Sequence, residues 1–422
     1  MQTSPSHREW AKKVASKTPF DASTLVGAVV SLSLLLSPGC AKSGSLGQAP
    51  ESPAAPAGLE VFDESRVHSV ELSLSDSDWQ TLITEAATSE GYGSPHPYVR
   101  SRVAFDGDSL DEDVGLRLKG HLSLQLADGR SFPFKLDFNR FEKGVTLDGL
   151  KKLNLHADFN GPTLPIMREY VSYGAWREFG VPASRTSFAR VSVNNGDLGV
   201  YVLVEQVDGG FIKRHFSDPY GDLYKPEQVS GTLEYRGPNI SDYPDINHKW
   251  PAQTDHAALL NALRTLDSGT QSSLSQVFGV RGVLTYLAGN VALGSGDFYP
   301  HTGHNYYLYE ESPGQFTMLP WDMNGSQEAH DTRVCSAAEG YLSGRLLEDP
   351  NNEALYREIL SDFLDSSASS TWLIQRLDAA ESLLGSAVSA REIADMRRDI
   401  QERHARLQGE LTSTARCTGE PH

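Results

Sequence analysis

The sequence predicts an α+β protein in which a strand-rich first half is followed by a helix-rich second half. Between Gly58 and about Asp208, apolar and polar residues alternate in several short runs, which is the period of half-buried strands. Beyond residue 340, apolar residues recur every three or four positions, as in helices that pack on one face. The 422 residues, 39% of them hydrophobic, suffice for one large or two modest domains.

Residues 1–39 predict a secretion signal. Basic side chains precede the apolar run STLVGAVVSLSLLL, which is too short to span a bilayer comfortably. Cys40 follows almost at once, as in a bacterial lipoprotein acceptor site. We therefore expect either lipidation of Cys40, which would attach the protein to a membrane, or plain secretion. Residues 40–58 are rich in Ser, Gly, Ala and Pro and predict a flexible tether.

The charge and the cysteine content of the chain argue against nucleic-acid binding and against a zinc site. The formal net charge of −18 argues against a nucleic-acid partner. Besides Cys40, the cysteines are Cys335 and Cys417, for which one disulfide and two free thiols both remain open. Because the cysteines are single and far apart, they cannot form a zinc site, and we expect any metal to be bound through oxygen.

Two alternating runs near residue 125 predict a hairpin with a polar tip. The runs VGLRLKG and FPFKLDF flank a loop that contains Ser123, and they place Lys119 and Lys135 near its two sides. A strand lysine is most often a solvated side chain. The helix predicted in TLPIMREYVSYGAWREFG favours a function for them, since Glu169 near its start would keep a buried lysine charged and directed at a phosphate.

A second hairpin ends the first half. The runs SFARVSVNN and LGVYVLVEQVD are joined by Asn194, Asn195 and Gly196, a strong hairpin signal. The second strand leads to Glu205 and Asp208, beyond which GGFIKRHF predicts a helix. This point is expected to be a hinge between residues 59–208 and residues 209–422.

The second half supplies an acid and an amide at the two ends of one loop. A helix predicted in RGVLTYLAGNVALG breaks at its glycines, Asp297 opens a loop that ends at Asn305, and two short strands lead to Asp322. Carboxylate and amide oxygens suit magnesium, and a further carboxylate can orient an attacking hydroxyl in phosphoryl transfer. Alternatively, the three residues cap turns and a helix.

The order of several runs decides between these interpretations. RLKGHLSL, FPFKLDF, GLKKLNLHADF, MREYVSYGAWREFGVPASRTSFARVSVNNGDLGVYVLVEQVD, GDLYKPE, GDFYPHTGHNYYLY and MLPWDMNG together resemble the spore-coat protein H kinase family (CotH-like). The resemblance implies a bilobed, atypical protein kinase-like fold, with a strand-rich N-lobe at 59–208 and a helical C-lobe at 209–422. It also implies ATP with Mg²⁺ or Mn²⁺ and phosphorylation of serine or threonine on an extracytoplasmic protein.

The resemblance assigns a role to each matching residue. Asp297 would be the catalytic base or orienter, and Asp322 with Asn305 would hold the metal. Lys135 would grip the α- and β-phosphates of ATP, with Glu169 as its partner.

Four further residues complete the nucleotide site that the resemblance implies. The loop with Ser123 would cover the phosphates, Lys119 and Arg117 would add positive charge, and Glu205 would sit at the hinge beside the adenine. Two alternatives stay open: a catalytically silent, kinase-like surface binding or adhesion protein, and a transferase with a small-molecule or glycan acceptor. A disulfide from Cys417 to Cys335 is a further hypothesis.

Overall fold

Strands dominate the first half of the chain. The structure is a computed structural model and describes residues 57–88, 96–120, 132–157, 166–217, 219–328 and 332–417. The strands of the first half are Val67–Ser73 (β1), Val99–Phe105 (β2), Asp108–Ser109 (β3), Val114–Leu118 (β4), Phe134–Asp137 (β5), Lys152–His156 (β6), Thr186–Val193 (β7) and Gly196–Glu205 (β8).

Seven of these strands close into a ring. The sheet order is β1-β7-β8-β6-β5-β4-β2-β3, and β1 also pairs with β2, so only β3 lies outside the ring. The β1–β7 pair is parallel, and the other pairs are antiparallel. The alternation of apolar residues predicted the strands, but it carried no information on the β1–β2 and β1–β7 pairings that close the ring.

Side chains alternate between the inside and the outside of the ring. On β8, Tyr201 and Leu203 belong to the cluster that fills the ring, whereas Val202 and Val204 belong to a second hydrophobic cluster outside it. Both faces of β8 are therefore covered, which explains why its sequence is apolar without a gap. The outer face of the ring contributes the basic side chains described below.

A central helix packs on the outside of the ring. Two helices interrupt the strands, Asp76–Thr88 (α1) and Met167–Glu178 (α2). In α2 every residue from Met167 to Trp176 is buried. Trp176 packs so closely on Gly289 of the second half that a Cβ there would lie 2.1 Å from its ring. The helix therefore belongs to the larger hydrophobic cluster and connects the ring to the second half.

The second half combines a small antiparallel sheet with helices. Its strands are Leu223–Pro226 (β9), Ile246–Trp250 (β10), Tyr306–Ser312 (β11) and Gln315–Pro320 (β12), in the order β10-β9-β11-β12. Its helices are Gly209–His215 (α3), Ala257–Ser268 (α4), Gln271–Val277 (α5), Val280–Ala292 (α6), Tyr299–Thr302 (α7), Tyr341–Leu347 (α8), Pro350–Asp365 (α9), Ser370–Leu384 (α10) and Ala390–Leu411 (α11).

The observed elements confirm the mixed α+β class, with a strand-rich first part and a helical C-terminal part. The strands of the two predicted hairpins pair as expected, β4 with β5 and β7 with β8. The two short strands predicted before Asp322 are β11 and β12, which also pair antiparallel. Asp208 begins α3, because its carboxylate accepts hydrogen bonds from the amides of Gly210 and Phe211. The lobe boundary at this residue stays a prediction. In the described part of the chain, no helix has the length and apolar character needed to cross a bilayer.

A disulfide joins Cys335 to Cys417, across 82 residues of sequence. The tail before Cys417 is also held by side chains of α9: Arg357 donates to the carbonyl of Ala415 at 2.6 Å, and Glu353 accepts from the amide of Cys417 at 2.9 Å. The structure thus selects the disulfide over the two free thiols that the sequence left open.

Removal of this bond should destabilise the fold. We expect Cys417→Ser to lower the free energy of unfolding by about 2–4 kcal/mol, because the bond closes a long loop in the unfolded chain. Urea denaturation of the oxidised protein measures the loss. Cys335→Ser and the double variant should lose the same amount, and a double variant as stable as wild type would contradict the pairing.

Candidate active site

A chain of hydrogen bonds runs from the end of β4 to the start of α2. The ammonium of Lys119 bonds to Nε2 of His156, and Nδ1 of His156 lies 2.5 Å from a carboxylate oxygen of Glu169. Because the lysine donates to Nε2, the imidazole proton is placed on Nδ1, facing Glu169. The ammonium also lies 5.5 Å from the centre of the Trp321 ring.

Asp322, which follows the end of β12, lies close to these hydrogen-bonded side chains. One ligand atom each from His156, Glu169 and Asp322 lie within 4.8 Å of one another. Asp322 adopts the left-handed backbone conformation, with φ of 57°, and its amide donates to the hydroxyl of buried Tyr173 at 3.0 Å. An aspartate with positive φ is uncommon. The Tyr173 contact therefore helps to hold Asp322 where its side chain meets the other two.

Among His156, Glu169 and Asp322, Glu169 is the most deeply buried. It is 2% exposed, and its second carboxylate oxygen has no hydrogen-bond partner among the described residues. A buried carboxylate oxygen without a partner is costly. The position therefore suits a cation or a donor supplied by a ligand.

The strand register explains why Lys119 meets His156. The Lys119 amide bonds to the carbonyl of Pro133, and the β5–β6 register places Pro133 beside His156 on the outer face of the ring. Lys135 lies one step further along the same face, opposite Arg117 on β4 and Asn154 on β6. Residues paired directly across β4, β5 and β6 form a row on the outer face of the ring. The two lysines thus lie in neighbouring rows.

The expected pair of Lys135 and Glu169 is wrong. The ammonium of Lys135 donates to the amide oxygen of Gln206 at 2.5 Å, and Gln206 in turn donates to the hydroxyl of Tyr307 at 2.9 Å. Glu169 is bound instead by His156 in the adjacent row. The carboxylate on α2 is therefore coupled to Lys119, through an imidazole.

Lys119 and Lys135 belong to a cluster of six basic side chains. They come from the outer face of the ring and from the second sheet, and are Arg117, Lys119, Lys135, Lys152, Lys225 and Lys249. Burial lowers the pKa of Lys119 to about 8, and the charges of Asp322 and Glu169 oppose this shift. Burial also lowers the pKa of Lys135 well below its usual range, and the neighbouring cations lower it further.

Few carboxylates balance this cluster. Lys152 lies 3.7 Å from Asp137, and Lys225 lies 2.6 Å from Glu227. Across the described ranges, no carboxylate oxygen lies within 4 Å of the ammonium of Lys119 or Lys135. The chain as a whole has a formal net charge of −18, so this cluster is a local exception, and its positive charge would favour an anion.

The loop from Asp297 to Asn305 is folded back on itself. The Asn305 amide nitrogen donates to the Asp297 carbonyl at 2.9 Å and to its carboxylate at 2.8 Å. Nε2 of His304 lies 3.6 Å from the other carboxylate oxygen, and the Asp297 side chain is 46% exposed. The Asn305 amide oxygen is left as the atom available to a cation, while the Asp297 carboxylate is fixed and open to solvent.

The Asp297 loop contacts the turn that follows Asp322. The amide of Gly296 donates to the carbonyl of Gly325 at 3.3 Å, and a Cβ on Gly325 would lie 3.6 Å from the Cβ of Asp297. The structure therefore places Asp297, the predicted catalytic residue, and Asp322, the predicted metal ligand, on adjoining segments.

Comparison with known sequences places this site in a family. The family model described as CotH kinase protein matches residues 116–411. This chain belongs to the CotH family. It is also similar to the inner spore coat protein H of Bacillus subtilis (strain 168), with 25% identity over 260 residues, covering 56% of this chain and 68% of that protein. The family resemblance read from the sequence is confirmed.

Within the CotH domain, Glu205 is an ion-pair centre. Its carboxylate accepts from Arg185 at 2.7 and 3.1 Å and from Arg214 at 2.6 Å, and it is 2% exposed. Burial would raise the pKa of Glu205, but the hydrogen bonds and charges of the two arginines outweigh it and lower the pKa. Both carboxylate oxygens are occupied by the two arginines, which gives this side chain a structural role, while its expected place beside the adenine stays a prediction.

Sequence reasoning missed two residues of the CotH site. His156 and Gln206 bind the two lysines, yet neither was singled out. The alternation on β6 carried a signal, since Leu153 and Leu155 fill the ring and His156 must face outward. The expectation that any metal is bound through oxygen stays a prediction. Ser123 and Cys40 lie outside the described residues.

Proposed function

We propose that this CotH-family protein is an extracytoplasmic, ATP-dependent kinase that transfers the γ-phosphate to serine or threonine hydroxyls of secreted or envelope proteins. The observation that carries the proposal is the weakly balanced cation cluster directly beside Asp322, with Asp297 on the adjoining loop. Phosphoryl transfer requires this combination of positive charge for phosphates, oxygen ligands for a metal and a positioned carboxylate. The family name supports the same chemistry.

The cations on the ring would hold the phosphates. Arg117, Lys119 and Lys135 share the outer face of neighbouring strands, so their charges converge on one surface. Neither ammonium has a carboxylate partner in the described residues, and both are therefore available to phosphate oxygens. His156 and Gln206 would fix the two lysines in place through hydrogen bonds.

The acidic side chains fit a divalent cation. Asp322 and the amide oxygen of Asn305 are candidate ligands, and nearby Glu169 has one buried oxygen without a hydrogen-bond partner among the described residues. Mg²⁺ or Mn²⁺ bound there would offset the negative charge of the phosphates.

Asp297 would orient the acceptor hydroxyl and accept its proton. The hydroxyl oxygen would form the new bond to the γ-phosphorus while the bond to the leaving ADP breaks. The bond from Asn305 and the nearby His304 hold the carboxylate, and its 46% exposure leaves room for an acceptor.

The proposed location rests on the N-terminus and on the relative. A secretion signal ending before Cys40 fits the surface location that the name of the Bacillus spore coat relative indicates. The acceptor would be a protein outside the cytoplasm. With a chain of formal net charge −18, a basic or neutral acceptor is favoured.

Labelled ATP tests the function. Wild-type protein with Mg²⁺ or Mn²⁺ should transfer γ-phosphate to itself or to a generic protein acceptor, and Asp322→Ala should abolish transfer. Absence of transfer together with absence of metal-dependent ATP binding by calorimetry would contradict the proposal and favour a binding scaffold. Metal-dependent binding without transfer to any protein would favour a different acceptor.

Replacement of either lysine should weaken ATP binding. Lys119→Met and Lys135→Met should each weaken ATP affinity by roughly 10- to 100-fold, because each removes a charge-assisted hydrogen bond to phosphate worth about 1.5–3 kcal/mol. Calorimetry with Mg²⁺ and ATP measures the loss. The exposed Lys143 provides the matched control, since Lys143→Met removes the same charge away from the cluster. Equal affinities in all three variants would contradict phosphate binding at these positions.

A further inference from the structure

We propose that His156, Glu169 and Asp322 form a nitrogen-containing site for a first-row transition-metal dication, such as Mn²⁺, that is occupied without nucleotide. The three side chains come from β6, from α2 and from the end of β12. The proposal shares Asp322 with the proposed kinase function, but it requires neither ATP binding nor phosphate transfer.

The geometry is close to that of a bound ion. The three ligand atoms lie within 4.8 Å of one another. Ligands about 2.1 Å from a shared ion are separated by at most about 4.2 Å. A movement of less than about 1 Å at the side-chain ends would therefore complete the site.

An independent observation points to a missing cation. Glu169 is 2% exposed, and one of its carboxylate oxygens has no hydrogen-bond partner among the described residues. His156 satisfies the other oxygen. A dication between these side chains would satisfy the unpaired oxygen and so remove the cost of burying it.

The donor set decides the class of metal. Mg²⁺ and Ca²⁺ take oxygen ligands, whereas imidazole nitrogen suits transition metals. One imidazole with two carboxylates therefore favours a transition-metal dication over Mg²⁺. The two carboxylates neutralise the ion, and the nearby ammonium of Lys119 limits the negative charge of the site before the ion binds.

Binding must release a proton. Nδ1 of His156 faces Glu169 and carries the imidazole proton in the metal-free arrangement. An ion bound to Nδ1 would displace this proton to solvent and take its place beside Glu169, and Lys119 would pass one proton to Nε2, so that His156 binds the ion as a neutral imidazole.

Pulsed EPR on Mn²⁺ tests the proposal directly. Mn²⁺ added to the purified, nucleotide-free protein should bind at about one ion per chain and show hyperfine coupling to ¹⁴N. Labelling with ¹⁵N-histidine should convert this coupling to ¹⁵N, which identifies imidazole as the ligand without any substitution. Bound Mn²⁺ without nitrogen coupling, or no bound Mn²⁺, would overturn the proposal.

Substitutions identify which histidine coordinates the ion. His156→Asn should remove the nitrogen coupling and weaken Mn²⁺ binding by roughly tenfold or more, while a large excess of Mg²⁺ should fail to displace Mn²⁺ from wild type. His68→Asn is the matched control, because His68 is also buried and bound to a carboxylate, that of Asp106 at 2.8 Å. Coupling that persists in His156→Asn would overturn the assignment.

The two proposals fail in different ways. Phosphate transfer with Mg²⁺ and no nitrogen coupling would overturn the metal site and leave the kinase function standing. Nitrogen-coordinated Mn²⁺ in a protein that neither binds ATP nor transfers phosphate would support the metal site and contradict the kinase function.

Discussion

Asp297→Asn should lower the rate of phosphate transfer from ATP by about 10²–10⁴-fold, the contribution typical of a positioned general base. The amide cannot accept the proton of the acceptor hydroxyl, although it keeps the size of the carboxylate. ATP affinity should stay within about twofold of wild type, because the carboxylate lies on the loop beside the metal site and not on the cation-bearing face of the ring. Transfer rates at saturating ATP, together with calorimetry, separate the two effects.

The exposed Asp111 provides a control for this substitution. Asp111→Asn makes the same chemical change in the loop before β4, so it should leave transfer unchanged. Asp297→Asn with a wild-type transfer rate would contradict the assignment of the base. A loss of ATP binding equal to the loss of transfer would instead place Asp297 in nucleotide binding.

Glu205→Gln should destabilise the protein by about 3–5 kcal/mol. The substitution removes the charge that pairs with Arg185 and Arg214 in a buried environment, and removal of one partner of a buried ion pair costs this much. Urea denaturation measures the free energy of unfolding. ATP affinity of the folded variant should remain near that of wild type, and a stable variant that fails to bind ATP would restore the adenine role that the sequence had predicted.

The same variant gives a pH dependence with a defined sign. The pKa of Glu205 is lower in the folded protein than its ordinary value of 4.5, so its stabilisation is present above pH 4.5. It is lost as the pH falls through the lower folded-state pKa, where the carboxylate becomes protonated and resembles glutamine. The difference in unfolding free energy between wild type and Glu205→Gln should therefore shrink below pH 4.5. A difference that stays constant down to pH 3 would contradict the ion-pair account.

Local sequence patterns predicted the elements of this fold well. The turn at Asn194, Asn195 and Gly196 predicted the β7–β8 hairpin, and the helical spacing after residue 340 predicted the C-terminal helices. These features depend on neighbours in sequence. Closure of the ring depends on the pairing of β1 with β2 and β7, which involves residues more than 100 positions apart for β7 and leaves no local pattern.

The candidate site was predicted in part for the same reason. Motif order located Asp297, Asn305 and Asp322, and the structure places them on adjoining segments. The partner of Glu169 was mispredicted because it depends on strand register: a difference of one row separates Lys119 beside His156 from Lys135 beside Gln206. The ion pairs of Glu205 were not predicted because its partners, Arg185 and Arg214, belong to other segments of the chain.

The identity of the transferred group tests the central claim most directly. Wild-type protein would be incubated with a divalent metal, an acceptor protein and ATP labelled either at the γ-phosphate or at the α-phosphate, with Asp297→Asn in parallel. We predict that the γ-label appears on protein serine or threonine, that the α-label does not, and that Asp297→Asn lowers the γ-label signal by about 10²-fold or more. Transfer of the α-label, or no transfer of either label, would contradict a protein kinase at this site.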